Sequence, residues 1–279
     1  MIPVETSEDV YRILQTVKQH ARGFVTNFYP SRPKLESWIG RRELSATTDE
    51  ARALFLRRDA DFSHLYFFAA DLESLRVSLG TFLASEPGTI VADILGREDE
   101  VGATADVLAA SGFSRYARLI RLARLSAGCP PQPVQPGVEY AEAQDAEAIT
   151  RMLHASFDRY AEQLPVMEEI RNATAARQIL VVRNGGGFAG LRFFEVEGFT
   201  SVLRYWLVDP GSRNQKVGSR LIRSYFAVCA PVRRFVLWVF SNNQNAIERY
   251  EGYGYRPDRL TDRVLIRRDR AAQSAQGWL

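Results

Sequence analysis

Twelve residues near the middle of the chain, Ser126 to Gly137, read S-A-G-C-P-P-Q-P-V-Q-P-G. Proline removes backbone donors and fixes φ, so four prolines and two glycines in this span sustain neither a helix nor a central strand. The segment reads as a semi-extended linker. It divides the 279-residue chain into residues 1–125, the linker 126–137, residues 138–268 and a short polar tail, 269–279. Two domains suit a chain of this length at roughly 100 to 200 residues each.

The composition supports packed domains. Hydrophobic residues make up 46% and charged residues 25%, which is enough apolar surface to rule out general disorder. No apolar run approaches the ~18 residues of a membrane span, so no membrane partner is expected. Met1 to Val10 carries acids and no basic-then-apolar signal, so no export is expected. A net charge of +3 is too balanced for a general nucleic-acid binder. The excess lies in the second half, where residues 138–268 hold 19 bases against 15 acids. Two cysteines, Cys129 and Cys229, build no disulfide scaffold, and no Cys or His cluster suggests a metal. A reducing cytoplasm is the expected compartment.

The second half alternates strands and helices. Val138–Ala143 reads as a short strand. Asp145 caps a helix running to about Tyr160, with Ile149, Met152, Leu153 and Phe157 on one face. A second helix is expected over 166–176. Three strands follow, at 179–182, 188–196 and 200–208, separated by Asn184–Gly187 and Glu197-Gly198 turns. Val217, Leu221, Ile222, Tyr225 and Phe226 recur at helical spacing up to Pro231. Phe235–Phe240 is apolar on both faces and reads as a central strand. A helix over 246–251 and strand-like runs near Tyr255 and 263–266 close the pattern. The expected class is α/β, a mixed sheet with helices on both faces.

Chemistry is expected at two places. Leu207 to Gly218 reads as strand, polar loop and helix start. A helix N-terminus offers about four unpaired amides and a positive dipole end, a geometry that binds phosphate. Arg213, Lys216, Arg220 and Arg223 gather around that turn, with Gly218 and Ser219 inside it. A surface loop with solvated arginines would look the same. Beyond the buried strand, however, Asn243, Ala246, Ile247, Tyr250, Gly254 and Tyr255 stand in the pattern N-x-x-A-I-x-x-Y-x-x-x-G-Y.

With both motifs at this spacing, residues 138–268 resemble the GNAT superfamily of acyl-CoA-dependent N-acyltransferases. The family's loop is usually Q/R-x-x-G-x-G/A; here it is R-N-Q-K-V-G, with Lys216 in place of the first glycine. The resemblance implies acetyl-CoA as co-substrate and no metal. It implies that backbone near Leu207 and Val208 pairs with the pantetheine, in a cleft where this strand splays from 235–240. Amides of Asn214, Gln215, Lys216, Val217, Gly218 and Ser219, with Arg213 alongside, would hold the pyrophosphate. Asn243 would face the pantetheine arm, or simply cap its helix. Tyr250 would be the acid for the departing thiolate, the Val208 amide a donor to the oxyanion. A glutamate that some members carry on this strand is replaced by Val202, so the base stays open among Glu195, Asp158, His154, Glu168 or a water. Cys229 reads as core.

The first half is less legible. Val10, Ile13, Leu14 and Val17 make an amphipathic helix, 65–69 a strand and 72–83 a helix. Strand 89–95, helix 101–110, Gly112-Phe113 and strand 116–122 resemble the closing section of a GNAT fold, without its phosphate loop. A degenerate GNAT-like half and an unrelated α/β packing domain both fit. The activity implied is acetyl transfer to the primary amine of a small molecule, by direct attack in a ternary complex. The alternatives are a protein lysine or N-terminal acetyltransferase and a non-catalytic acyl-CoA sensor. A second copy of the chain is a candidate partner.

Overall fold

The computed structural model describes residues 1–126 and 133–268. Residues 127–132 of the expected linker, with Cys129, and the expected tail lie outside the described residues. The chain forms two compact units, Met1–Leu119 with Arg259 onward, and Ile120–Asp258. Both follow one order of elements: a short strand, two helices, three antiparallel strands, a helix, a strand parallel to the third and a helix, followed in the chain by a long strand.

In the first unit these are β1 (Ile2–Pro3), α1 (Ser7–Gln19), α2 (Arg32–Gly40), β3 (Leu44–Thr48), β4 (Arg52–Asp59), β5 (Phe62–Ala69), α3 (Leu72–Ser85), β6 (Thr89–Arg97), α4 (Glu98–Ala110) and β7 (Ser114–Leu125), with a two-residue strand β2 (Val25–Thr26) between α1 and α2. Thr6 and Asp9 form a capping box that starts α1. Alternation decides the faces. Leu54, Leu56, Leu65 and Phe67 pack beneath α3 and α4, while Phe55, Tyr66 and Phe68 pack beneath α1 and α2.

The second unit holds β8 (Glu139–Tyr140), α5 (Ala146–Ser156), α6 (Met167–Ala175), β9 (Ile179–Asn184), β10 (Gly187–Glu197), β11 (Thr200–Val208), α7 (Val217–Val228), β12 (Arg234–Phe240) and α8 (Gln244–Gly252). The strands lie in the order β8-β9-β10-β11-β12, with residues 120–125 of β7 beside β12. Phe235 and Leu237 pack with α7, and Val236 is buried on the other face, so β12 is central as expected. The helix expected to reach Tyr160 stops at Ser156, because Phe157 is extended.

The boundaries of the units differ from the expected division. The last strand, β13 (Arg256–Arg267), is one continuous strand whose residues from Leu260 pair antiparallel with β6, Leu260 opposite Arg97 through Arg267 opposite Ile90. It therefore closes the first unit. The flank of the linker belongs to the second unit, tied to two α7 side chains: the Gln135 backbone N–H donates to Ser224 Oγ (2.9 Å) and Arg220 donates to the Pro136 carbonyl (3.2 Å). Among the described residues no helix is long and apolar enough to cross a membrane.

Candidate active site

The parallel ladder between β11 and β12 runs only from Thr200–Arg234 to Leu203–Leu237. At that point β11 carries a bulge. Phe193 pairs with Tyr205 and Phe194 with Leu203, leaving Arg204 as the extra residue. A bulge bends and twists its strand, and here it coincides with the end of pairing. The second half of β11 is thus held by β10 alone.

Its backbone groups alternate. Asp209 N–H donates to the Ala189 carbonyl (2.9 Å), and the Leu207 carbonyl points at Gly190, 2.7 Å from where a Cβ would stand. Leu207 and Asp209 therefore face β10, and Trp206 and Val208 turn their N–H and C=O toward the opened side. Of the two expected contacts, only Val208 is placed to offer backbone groups there. The Leu207 backbone is already committed to the ladder.

The loop after β11 makes a short 3-10 turn, Pro210–Ser212, fixed by Asn184 Nδ2 donating to Ser212 Oγ (3.0 Å). Arg213, Asn214, Gln215 and Lys216 are exposed. Asn214 (φ 65°) and Lys216 (φ 58°) are both left-handed, and Lys216 is the N-cap of α7. The expected position for a family glycine is thus a true left-handed position, filled by lysine at a strain of roughly 1 kcal/mol. The first helical bond is Arg220 N–H to Lys216 O, so the Val217, Gly218 and Ser219 amides precede it. No side chain caps this end, and its first turn holds no acid.

Gly218 also has a packing role. A Cβ there would lie 3.1 Å from Trp206 Cζ2 and 3.4 Å from Val208 Cγ2, so the glycine lets α7 approach β11. Ser219 Oγ accepts from the Tyr253 hydroxyl (3.1 Å), tying α7 to the end of α8. Asn243 Oδ1 accepts from Ala246 N–H (3.2 Å) and caps α8.

Tyr250 is half-buried on α8, its ring 5.5 Å from Trp206 and 5.8 Å from Tyr255. Burial pushes its phenol up to about 12; Arg192 opposes the rise and Glu162 adds to it. Arg192, on β10, is fully buried with its guanidinium between the rings of Trp206 (4.5 Å) and Tyr225 (4.6 Å). None of its three guanidinium nitrogens has a hydrogen-bond partner among the described residues. This cation escaped the sequence reading, because an arginine in a strand gives no sign of its burial. Cys229 is buried, which pushes its thiol up to about 12, and it sits in the core as expected.

Of the four side chains considered as bases, three are engaged and one is exposed. Glu195 pairs with Arg204 (2.9 Å). Asp158 Oδ1 accepts from the Tyr160 and Ala161 amides (2.9 Å each). His154 Nε2 bonds the Pro165 carbonyl (3.0 Å), and Glu168 is exposed on α6. A fifth carboxylate, Glu162, was missed. It lies in the 157–166 loop, and burial pushes its pKa up to about 7, with Asp158 adding to the rise.

The first unit repeats the splay and fills it with its own chain. Pairing of β5 with β6 ends at His64–Val91. Beyond it, β2 pairs with β5, and the Asn27 side chain bridges the gap. Its Nδ2 donates to Leu65 O (2.9 Å) and Asp93 O (3.0 Å), and its Oδ1 accepts from Phe67 N–H (2.8 Å). The start of α3 is capped by Asp71, which accepts from Ser74 N–H (2.7 Å), with Glu73 in the first turn. Acids at a helix N-terminus disfavour a bound anion.

The profile described as the acetyltransferase (GNAT) family matches residues 146–255. No curated protein matches the sequence. Among solved structures, the chain is similar to a GCN5-related N-acetyltransferase from Sphaerobacter thermophilus (14% identity, 96% of this chain and 94% of that one, TM-score 0.58). It is also similar to a tandem GNAT protein from the clavulanic acid biosynthesis pathway (13% identity, 96% and 97%, TM-score 0.58). A third is an acetyltransferase of the GNAT family from Colwellia psychrerythraea (8% identity, 96% and 98%, TM-score 0.57). These likenesses are of fold, and they extend to the first unit as well as the second. By the profile match over residues 146–255, the second unit is an acetyltransferase domain of the GNAT family.

Proposed function

We propose that the second unit transfers the acetyl group of acetyl-CoA to a primary amine of a small molecule, with both substrates bound together. The observation that carries this reading is the open end of the β11–β12 ladder beside an uncapped helix start. In this reading the Val217–Ser219 amides, with Arg213 and Lys216, hold the pyrophosphate, Val208 pairs with the pantetheine, and Asn243 lies beside it. Bound there, acetyl-CoA supplies an activated acyl group. The first unit binds no donor, since Asn27 and Asp71 occupy the corresponding places, so each chain takes one.

Val208 N–H faces the opened side and supports the oxyanion. The role of Tyr250 follows from energetics. A phenol at about 12 is some 3.5 units above a free thiol near 8.5, so full proton transfer costs about 5 kcal/mol. Tyr250 therefore acts chiefly as a hydrogen-bond donor to the departing sulfur, with the buried Arg192 charge favouring that polarity. The 157–166 loop, held against β11 through the Tyr205 hydroxyl, favours a compact acceptor over an extended peptide.

Calorimetry with acetyl-CoA, followed by thiol release across panels of small amines and of peptides, tests the reading. One donor per chain and turnover with small amines are expected. Turnover with peptides alone would move the acceptor to protein, and donor binding without turnover would make the unit a sensor. No binding at all would remove the reading.

A further inference from the structure

Glu162 is distinguished from the other acids of this unit by where it is held. The loop from Phe157 to Val166 is fastened to β11 beside the bulge. Tyr205 donates its hydroxyl to the Glu162 carbonyl (2.7 Å) and to the Gln163 carbonyl (3.0 Å), and Phe157 packs on the Tyr205 ring at 5.0 Å. His154 holds the end of the loop through the Pro165 carbonyl (3.0 Å). Gln163 takes a positive φ of 40°, a strained position for a residue with a side chain. The carboxylate accepts one bond, from the Asp158 amide at 2.8 Å, on Oε2. Its charge also raises the Tyr250 phenol.

From this geometry, and resting on the acetyl-transfer reading, we propose that Glu162 is the base that removes the proton from the acceptor amine, directly or through one water. The groups facing it are Asp158 on its own loop, Tyr205 on β11 and Tyr250 on α8. The half-buried carboxyl, held near 7, is matched to proton removal at neutral pH.

Glu162 takes a first proton from the ammonium, leaving a neutral amine. Its nitrogen lone pair forms the C–N bond as the carbonyl π pair moves onto oxygen; the oxyanion then re-forms the carbonyl, and the C–S electron pair leaves on sulfur beside Tyr250. The nitrogen then loses a second proton, matched by the one that sulfur takes up. Glu162 returns its proton to solvent, so one proton is released per turnover.

The test compares wild type with Glu162→Gln, which keeps an oxygen for the Asp158 amide, on two acceptors: an alkylamine and an amine already neutral at the assay pH, such as hydroxylamine. For the alkylamine, kcat/KM is expected to fall about 100-fold and the acidic limb of its pH profile, near 7, to disappear. For the neutral amine the rate is expected to stay within about threefold, and acetyl-CoA affinity by calorimetry to be unchanged. Glu162→Asp should restore part of the alkylamine rate. An unchanged pH limb in Glu162→Gln, or equal losses on both amines, would overturn the assignment. A wild type that releases thiol with no amine would instead overturn the acetyl-transfer reading, and this assignment with it.

Discussion

Replacing Asn27 with alanine removes the bridge that fills the splay of the first unit. Three backbone groups lose their partner: the Leu65 carbonyl, the Asp93 carbonyl and the Phe67 amide. Asn27 is itself 5% exposed, so water replaces these bonds poorly. At a net value of about 1 kcal/mol per bond, the loss is about 3 kcal/mol, and more if the groups stay dry. That is a large part of the roughly 5–15 kcal/mol that holds a domain. With two units, a single unfolding midpoint is ambiguous, so the assay is residue-resolved amide exchange. A loss of 3 kcal/mol lowers Phe67 protection roughly 150-fold, while Leu221, in the core of the second unit, serves as the reference. Asn27→Asp should be worse, because it sets a carboxylate against two carbonyl oxygens. The donor stoichiometry should remain one in both variants. Wild-type protection of Phe67 in Asn27→Ala, or a stability loss under about 1 kcal/mol, would show that the bridge is not what closes the splay.

Gly190→Ala should destabilise the second unit by about 2 kcal/mol in urea unfolding, because its Cβ would stand 2.7 Å from the Leu207 carbonyl and 2.9 Å from Val217 Cγ1. Tyr250→Phe should lower kcat about 10- to 100-fold with little change in acetyl-CoA affinity by calorimetry; a pH-independent rate equal to wild type would remove the hydrogen-bond role. Glu162 also makes stability depend on pH. Its folded pKa is raised from 4.5 to about 7, so its carboxyl is carried without cost below 4.5, and stability falls as pH rises from there through 7. Glu162→Gln should therefore gain stability over wild type across that window, by at most about 3 kcal/mol, read as urea midpoints at pH 4.5 and 8.

The readable parts of this chain were those whose signals are local. The amphipathic repeat of α7, the apolar run of β12 and the N-x-x-A-I-x-x-Y pattern each lie within a dozen residues, and each element appears where it was expected. The first half hid β3 and β4. Strand β4 ends in Arg57, Arg58 and Asp59, charges that carry no strand signal, yet Arg57 is buried with its guanidinium 4.7 Å from the Trp38 ring. Lys216 could be named as a departure from the loop pattern, but its left-handed φ is a property of the folded turn.

Local patterning determined the α/β class and, in the second unit, the positions of the helices and the two motifs, because side-chain period and capping act over a few residues. Tertiary structure decided the rest. Asn27 finds its partners 38 to 66 residues away, Glu162 is held by a tyrosine 43 residues on, and β13 closes the first unit rather than the one that precedes it in the chain. Each depends on which backbone groups are left unpaired once the sheets form. No stretch of sequence records that vacancy until the strands that create it have come together.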